Sequence, residues 1–235
     1  MIGVIENLYR VFAKYPINTT ISGCPCCVSD VQKQVLHTKS LRDLSTEDLE
    51  QYTFKAMTTW GDVKDFKHYL PRILELFTTH EFCVDIAVIF GKLQYAHWQA
   101  WPHDEHEAIT AFLYAWWRKS VCYETCFDKE LFLEIYKATQ QIEPLLECWK
   151  LSFQDNSFSN FVDFICDCYY RLITPTKEFS CVGSKALHTW LSWIEQHAKR
   201  LEEGFFYTGH DDTLLEKIST ASYILEQSKT IQKIF

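Results

Sequence analysis

Three of the chain's ten cysteines fall within four residues, in the segment Gly23-Cys24-Pro25-Cys26-Cys27. Thiolates are natural ligands of zinc, and three in one turn could supply three of its bonds, with His37, His68 or His80 arriving as the fourth. The spacing differs from the paired C-x₂-C of structural zinc sites. Cys122-x₃-Cys126 and Cys166-x-Cys168 lie in helical stretches and make poor second pairs. The competing reading is a buried turn in which Pro25 sets the backbone and the thiols pack as small apolar groups. A redox role is a third reading, although a bond between the adjacent Cys26 and Cys27 would be strained.

A second constellation follows Thr59-Trp60-Gly61-Asp62, where Asp65, His68 and Arg72 stand at i, i+3 and i+7 and so share a polar stripe. A carboxylate, an imidazole and a guanidinium in line could bind an anion or orient a base. A solvated ladder of ion pairs explains the same spacing without chemistry. The pairs His103-Asp104 and His210-Asp211 invite comparison with helical metal phosphohydrolases, but both fall where helices begin and where Asp serves as a cap. Pro102 also separates His97 from His103 and His106. Near the C-terminus Phe205, Phe206 and Tyr207 run consecutively between glycines, followed by His210, Asp211 and Asp212. Aromatic and acidic neighbours suit a contact surface for another protein, and the alternative is that these rings fold back to plug a helical core. Asp85 lies inside the apolar run Phe82 to Phe90, where a buried carboxylate would need a cationic partner. G-x-S-x-G, P-loop, G-x-G-x-x-G and H-E-x-x-H signatures are all absent from the sequence, which counts against an enzyme.

The elements that must position these groups are helical. Residues 2–14 carry Val4, Leu8, Val11 and Phe12 on one stripe, and a short helix capped by Ser29 or Asp30 follows the Cys-rich turn. Ser45 with Asp48 forms a capping-box pattern ahead of a stripe from Leu49 to Trp60, which Gly61 closes and after which Asp62 caps the next helix. That helix buries Val63, Phe66, Leu70, Ile73, Leu74 and Phe77, with Pro71 predicting a kink or a new first turn. Residues 82–95 are apolar nearly all round, as in a central helix. Asp104, Glu105 and Glu107 place negative charge at the start of another helix, complementing its dipole. Asp128 caps a segment that Pro144 must bend or divide, and further helices span 158–173, 184–202 and the stretch after Asp211 or Asp212. The expectation is an all-α protein: an irregular array of about ten antiparallel amphipathic helices forming a single domain over 1–235, compatible with a HEAT-like stack of pairs.

Composition narrows the classes. The formal net charge of -8 disfavours nucleic-acid binding, which needs a basic face. No stretch reaches the roughly 20 apolar residues of a membrane span, and the N-terminus lacks a secretory pattern. Cys83, Cys148, Cys166 and Cys168 sit in apolar helical patterns and read as reduced, packed thiols, which points to the cytoplasm.

The segments Cys24-Pro25-Cys26-Cys27 and Thr59 through Arg72, T-W-G-D-V-K-D-F-K-H-Y-L-P-R, resemble a group of bacterial all-helical proteins with a CPCC turn and a TWGD-x-x-DF-x-H-x-LPR segment. The resemblance covers about the first third of the chain and implies a bacterial origin without an activity. Size and acidity are analogous to immunity proteins, so the expected function is a protein-interaction module that binds and neutralises a bacterial toxin. The alternative is a metal-dependent enzyme or zinc-stabilised helical protein using Cys24, Cys26, Cys27 and His68. No cofactor other than zinc is expected, and self-association through the aromatic residues is open.

Overall fold

Side-chain caps set the start of several helices. The computed structural model describes residues 1–79, 82–174, 176–207, 209 and 211–232. After α1 (Ile2–Phe12), Ser29 closes a capping box with Gln32 at the start of α2 (Asp30–Thr38). Ser45 does the same with Asp48 for α3 (Thr46–Lys55), and Asp62 with Asp65 for α4 (Val63–Phe77). Each reciprocal pair satisfies amide donors that a helix start leaves free. Helix α4 continues through Pro71 as one element.

Among the described residues the fold is all-α, with isolated bridges joining Gly23 and Ala56 to Trp60 and no strand. No helix of the described residues is long and apolar enough to cross a membrane. The chain packs as two compact units, Met1–Ala115 and Trp116–Phe235. The boundary falls within α6 (His103–Tyr123), after α5 (Ile86–Tyr95).

In the first unit α4 lies against α1 and α3. Its core joins Leu8 and Phe12 of α1 to Phe66, Leu70, Ile73 and Leu74 of α4, all at most 2% exposed. Side chains buried to this degree each contribute about 1.5–3 kcal/mol. Tyr52 meets Trp60 and Tyr69 edge-on at centroid separations of 5.3 and 4.6 Å.

The second unit contains α7 (Lys129–Thr139), α8 (Glu143–Cys148), α9 (Ser157–Asp167), α10 (Tyr169–Ile173), α11 (Ser184–His197), α12 (Lys199–Phe205) and α13 (Asp212–Gln232). Helix α9 packs against α10 and α13, and α12 against α13. Its core is aromatic: Trp149 stacks on Phe127 at 5.2 Å and meets Trp117 at 5.7 Å. Both buried indoles are satisfied, Trp149 Nε1 donating to Ser157 O at 2.7 Å and Trp117 Nε1 to Leu145 O at 2.9 Å.

Several sequence expectations need correction. The helix expected to reach Trp60 stops at Lys55, because the Lys55 carbonyl collects the amides of Thr58, Thr59 and Trp60 and Met57 turns left-handed at φ 63°. This tight turn swings Trp60 inward, leaving it 1% exposed. The apolar run from residue 82 becomes helical only at Ile86: Asp85 is exposed and caps α5 by accepting from the Ala87 amide at 2.7 Å. Asp85 therefore needs no buried cation, and Cys83, ahead of that cap, is exposed. The helix expected over 158–173 breaks at Cys168. The one expected over 184–202 tightens to three-residue hydrogen bonds at Ala198 and Leu201. Gly204 is the penultimate residue of α12, and a Cβ there would stand 2.2 Å from Phe158 Cζ, so the close approach of that ring requires a glycine.

Candidate metal centre

The Cys-rich turn is held by backbone hydrogen bonds at both ends. Cys27 N and Val28 N both donate to Cys24 O at 2.9 Å, closing the chain over Pro25, a residue suited to the second position of a turn. Cys24 N donates to Thr59 O and Gly61 N to Ser22 O, each at 2.8 Å, which ties the turn to the Trp60 segment. Gly61 has φ 70°, and a Cβ there would lie 2.7 Å from Asp65 Oδ2, so glycine is required on two counts. The Lys55 ammonium donates to Cys27 O. The Lys33 side chain packs beside Gly23 and pairs with Asp30 at 3.3 Å.

The turn brings its three sulfurs together. Cys24 Sγ and Cys26 Sγ are 2.8 Å apart, Cys26 Sγ and Cys27 Sγ 3.5 Å, and all three lie within 4.8 Å of one another. A metal–sulfur bond of about 2.3 Å sets sulfurs about 3.8 Å apart on a tetrahedral ion and about 4.0 Å on a trigonal one. The Cys26–Cys27 separation is already near these values, and Cys24–Cys26 has to open by about 1 Å. Hydrogen bonds from the Cys26 thiol, then the Cys26 amide and the Cys27 thiol, hold the Cys24 thiol below its ordinary value. The same bond to Cys24 pushes Cys26 up to about 11. The effect is to ease loss of the Cys24 proton relative to that of Cys26. Packing does not account for Cys26, which is exposed, whereas Cys24 and Cys27 are half-buried.

Neither His37 nor His68 supplies a fourth ligand. The convergent donor group among the described residues contains the three cysteines and no histidine. His68 Nδ1 lies 2.8 Å from Tyr15 O, and its ring meets Tyr69 edge-on. His37 is outside the group, and His80 lies outside the described residues.

The polar stripe of α4 separates into three independent tasks. Asp65 is buried, and its Oδ2 accepts from Asp62 N at 2.9 Å as half of the capping box. Arg72 donates from Nε to Leu44 O and from Nη1 to Glu75 Oε2, at 2.8 and 2.7 Å. With His68 turned to Tyr15, the three residues form neither a shared site nor a solvated ladder.

Of the aromatic contact candidates, Phe205 and Phe206 are exposed and meet edge-on at 5.5 Å. Tyr207 is exposed too and leans on Phe153 at 5.1 Å. Asp211 caps α13, its Oδ1 accepting from Leu214 N at 2.8 Å, and Asp212 is exposed beside it. His210 lies outside the described residues. His103 pairs with Glu107 at 3.2 Å, Asp104 with Lys14 at 2.9 Å, and His106 stacks on Trp98, so these groups do not assemble as metal ligands.

One charged cluster escaped the sequence reading. Glu105, in the first turn of α6 and fully buried, accepts from Lys67 Nζ and Tyr15 Oη at 2.6 Å each, and pairs with Lys14 at 2.9 Å. Lys67 also lies 4.0 Å from the Trp101 ring centre. Burial works to raise the Glu105 pKa, but hydrogen bonds from Lys67, Tyr15 and Lys14 outweigh it and hold the carboxyl below its ordinary value. Only the acidic first turn was visible in sequence, because the partners stand 38 and 90 residues away.

Compared with protein-family models, curated proteins and solved structures, the chain matches none.

Proposed function

We propose that this is a helical metal-binding protein whose site is the trithiol turn of Cys24, Cys26 and Cys27. The observation that carries the reading is the convergence of three sulfurs within 4.8 Å on a turn fixed by Pro25 and by hydrogen bonds to residues 59–61. Soft thiolates recruit thiophilic ions, and binding releases the thiol protons, so affinity falls as pH drops. The test is anaerobic titration of the reduced full chain with zinc against a chromophoric chelator. About one ion per chain is expected, lost in Cys26→Ser and retained in Cys126→Ser, whose exposed thiol is outside the group. Equal zinc uptake by both variants, or none by the parent chain, would sink the proposal.

A second reading, a protein-interaction module of the immunity type that neutralises a bacterial toxin, is supported by the exposed Phe205 and Phe206, 44% and 74% accessible, near the acidic start of α13. Truncating both rings to alanine should abolish co-purification of a partner from the native host without altering the helical content. Retention of the partner by that variant would remove this surface from consideration.

A further inference from the structure

Resting on the reading of the turn as a metal site, we propose that its ion is copper(I), held by three thiolates in a trigonal arrangement, in preference to zinc. Donor number is the first argument. Zinc in structural sites is almost always four-coordinate, and a zinc ion with three protein ligands takes a water as the fourth. The described residues bring Cys24, Cys26 and Cys27 together without a fourth His, Cys, Asp or Glu. Copper(I) is a closed-shell monovalent ion that is complete with three soft sulfurs, and thiolates select it.

The second argument is the turn itself. Four consecutive residues supply all the ligands, so the donors approach from one stretch of backbone and cannot enclose an ion from every side. A three-sulfur plane needs no ligand from the opposite side. The third argument is charge. Three thiolates with copper(I) carry a net -2, whereas the same thiolates with zinc carry -1. Lys55, fastened to the Cys27 carbonyl, and Lys33, packed beside Gly23, place cationic side chains next to the turn, although Asp30 takes part of the Lys33 charge. Exposure of Cys26 supplies the entry path a preformed site requires.

The experiment uses the full chain, fully reduced and metal-free under anaerobic conditions. It is offered equimolar zinc and copper(I), the latter stabilised as its acetonitrile complex, then desalted. Elemental analysis gives the ion retained, and X-ray absorption at the metal edge gives the number of sulfurs around it. The expected result is about one copper per chain with a shell of three sulfurs and no lighter donor. Cys27→Ser, which preserves the Cys24-Pro25-Cys26 pair, should weaken copper binding at least as much as losing an outer-shell partner, about 10–100-fold. Zinc retained with an oxygen or nitrogen ligand, or copper bound by two sulfurs and indifferent to Cys27→Ser, would overturn the copper assignment while leaving the metal site standing. Retention of neither ion would overturn both. Circular dichroism of Cys27→Ser separates lost ligation from lost folding.

Discussion

Replacing Glu105 by leucine should be among the most destabilising single changes in the first unit. The carboxylate is fully buried and its partner Lys67 is 8% exposed, so deletion strands an ammonium group away from water. Tyr15 Oη at 3.2 Å and the Trp101 ring remain near it, but neither carries a compensating charge. Breaking a buried pair from one side costs about 3–5 kcal/mol, so Glu105→Leu is expected to cost about 4 kcal/mol. The reverse change is milder. Lys67→Met leaves the carboxylate with Tyr15 and with Lys14, itself 43% exposed, and about 2 kcal/mol is expected. An apolar pair of similar volume is often as stable as a buried ion pair, but here Tyr15 Oη and Lys14 also lose their acceptor, so the double variant should cost about 3 kcal/mol and not the sum of about 6, a coupling of about 3 kcal/mol. Urea unfolding followed by circular dichroism gives the three free energies. Hydrogen exchange of peptides from α4 and α6 assigns the loss to this unit. Singles that add to within about 0.5 kcal/mol of the double would refute the reasoning, because uncoupled charges cannot be neutralising each other.

The same carboxylate sets an acid limit. With its folded pKa below the ordinary 4.5, the stability it contributes is complete above about pH 4.5 and is lost as pH falls through the folded value. Stability measured from pH 7 down to 3 should therefore fall less steeply in the Glu105→Leu, Lys67→Met double variant than in the parent, and equal slopes would count against this assignment. Gly204→Ala forces a methyl into the Phe158 ring and should cost about 1–3 kcal/mol, partly recovered by adding Phe158→Leu; a neutral effect on thermal unfolding would mean the helices are not in close contact there. Asp62→Ala removes the side-chain cap from Lys64 N and Asp65 N and should cost about 1 kcal/mol by the same assay, whereas Asp62→Ser should cost much less.

What the sequence determines by itself is what neighbours along the chain can decide. Ser45, Asp62 and Asp128 cap helices because a short polar side chain reaches amides two or three residues ahead, and that geometry needs nothing from the rest of the fold. The all-α class follows likewise from apolar periodicity, and the trithiol turn was legible because its three cysteines fall within four residues. Tertiary structure decided the rest. Trp60 continues the apolar stripe of α3, yet packing against Tyr52 and the Ser22–Gly61 backbone bond bend the chain after Lys55 and break the helix first. Asp85 sits in a strongly apolar run that predicts burial, but the helix starts at it, and capping puts its carboxylate in solvent. Asp65, His68 and Arg72 share a spacing that suggests one site, while their partners, Asp62, Tyr15, Leu44 and Glu75, come from different places and draw them apart. Glu105 reads in sequence only as part of an acidic first turn, until folding closes the 38 residues between it and Lys67. Local hydrogen-bond geometry is written into short stretches of sequence, whereas a buried charge is defined by its partner, and only the folded chain supplies one.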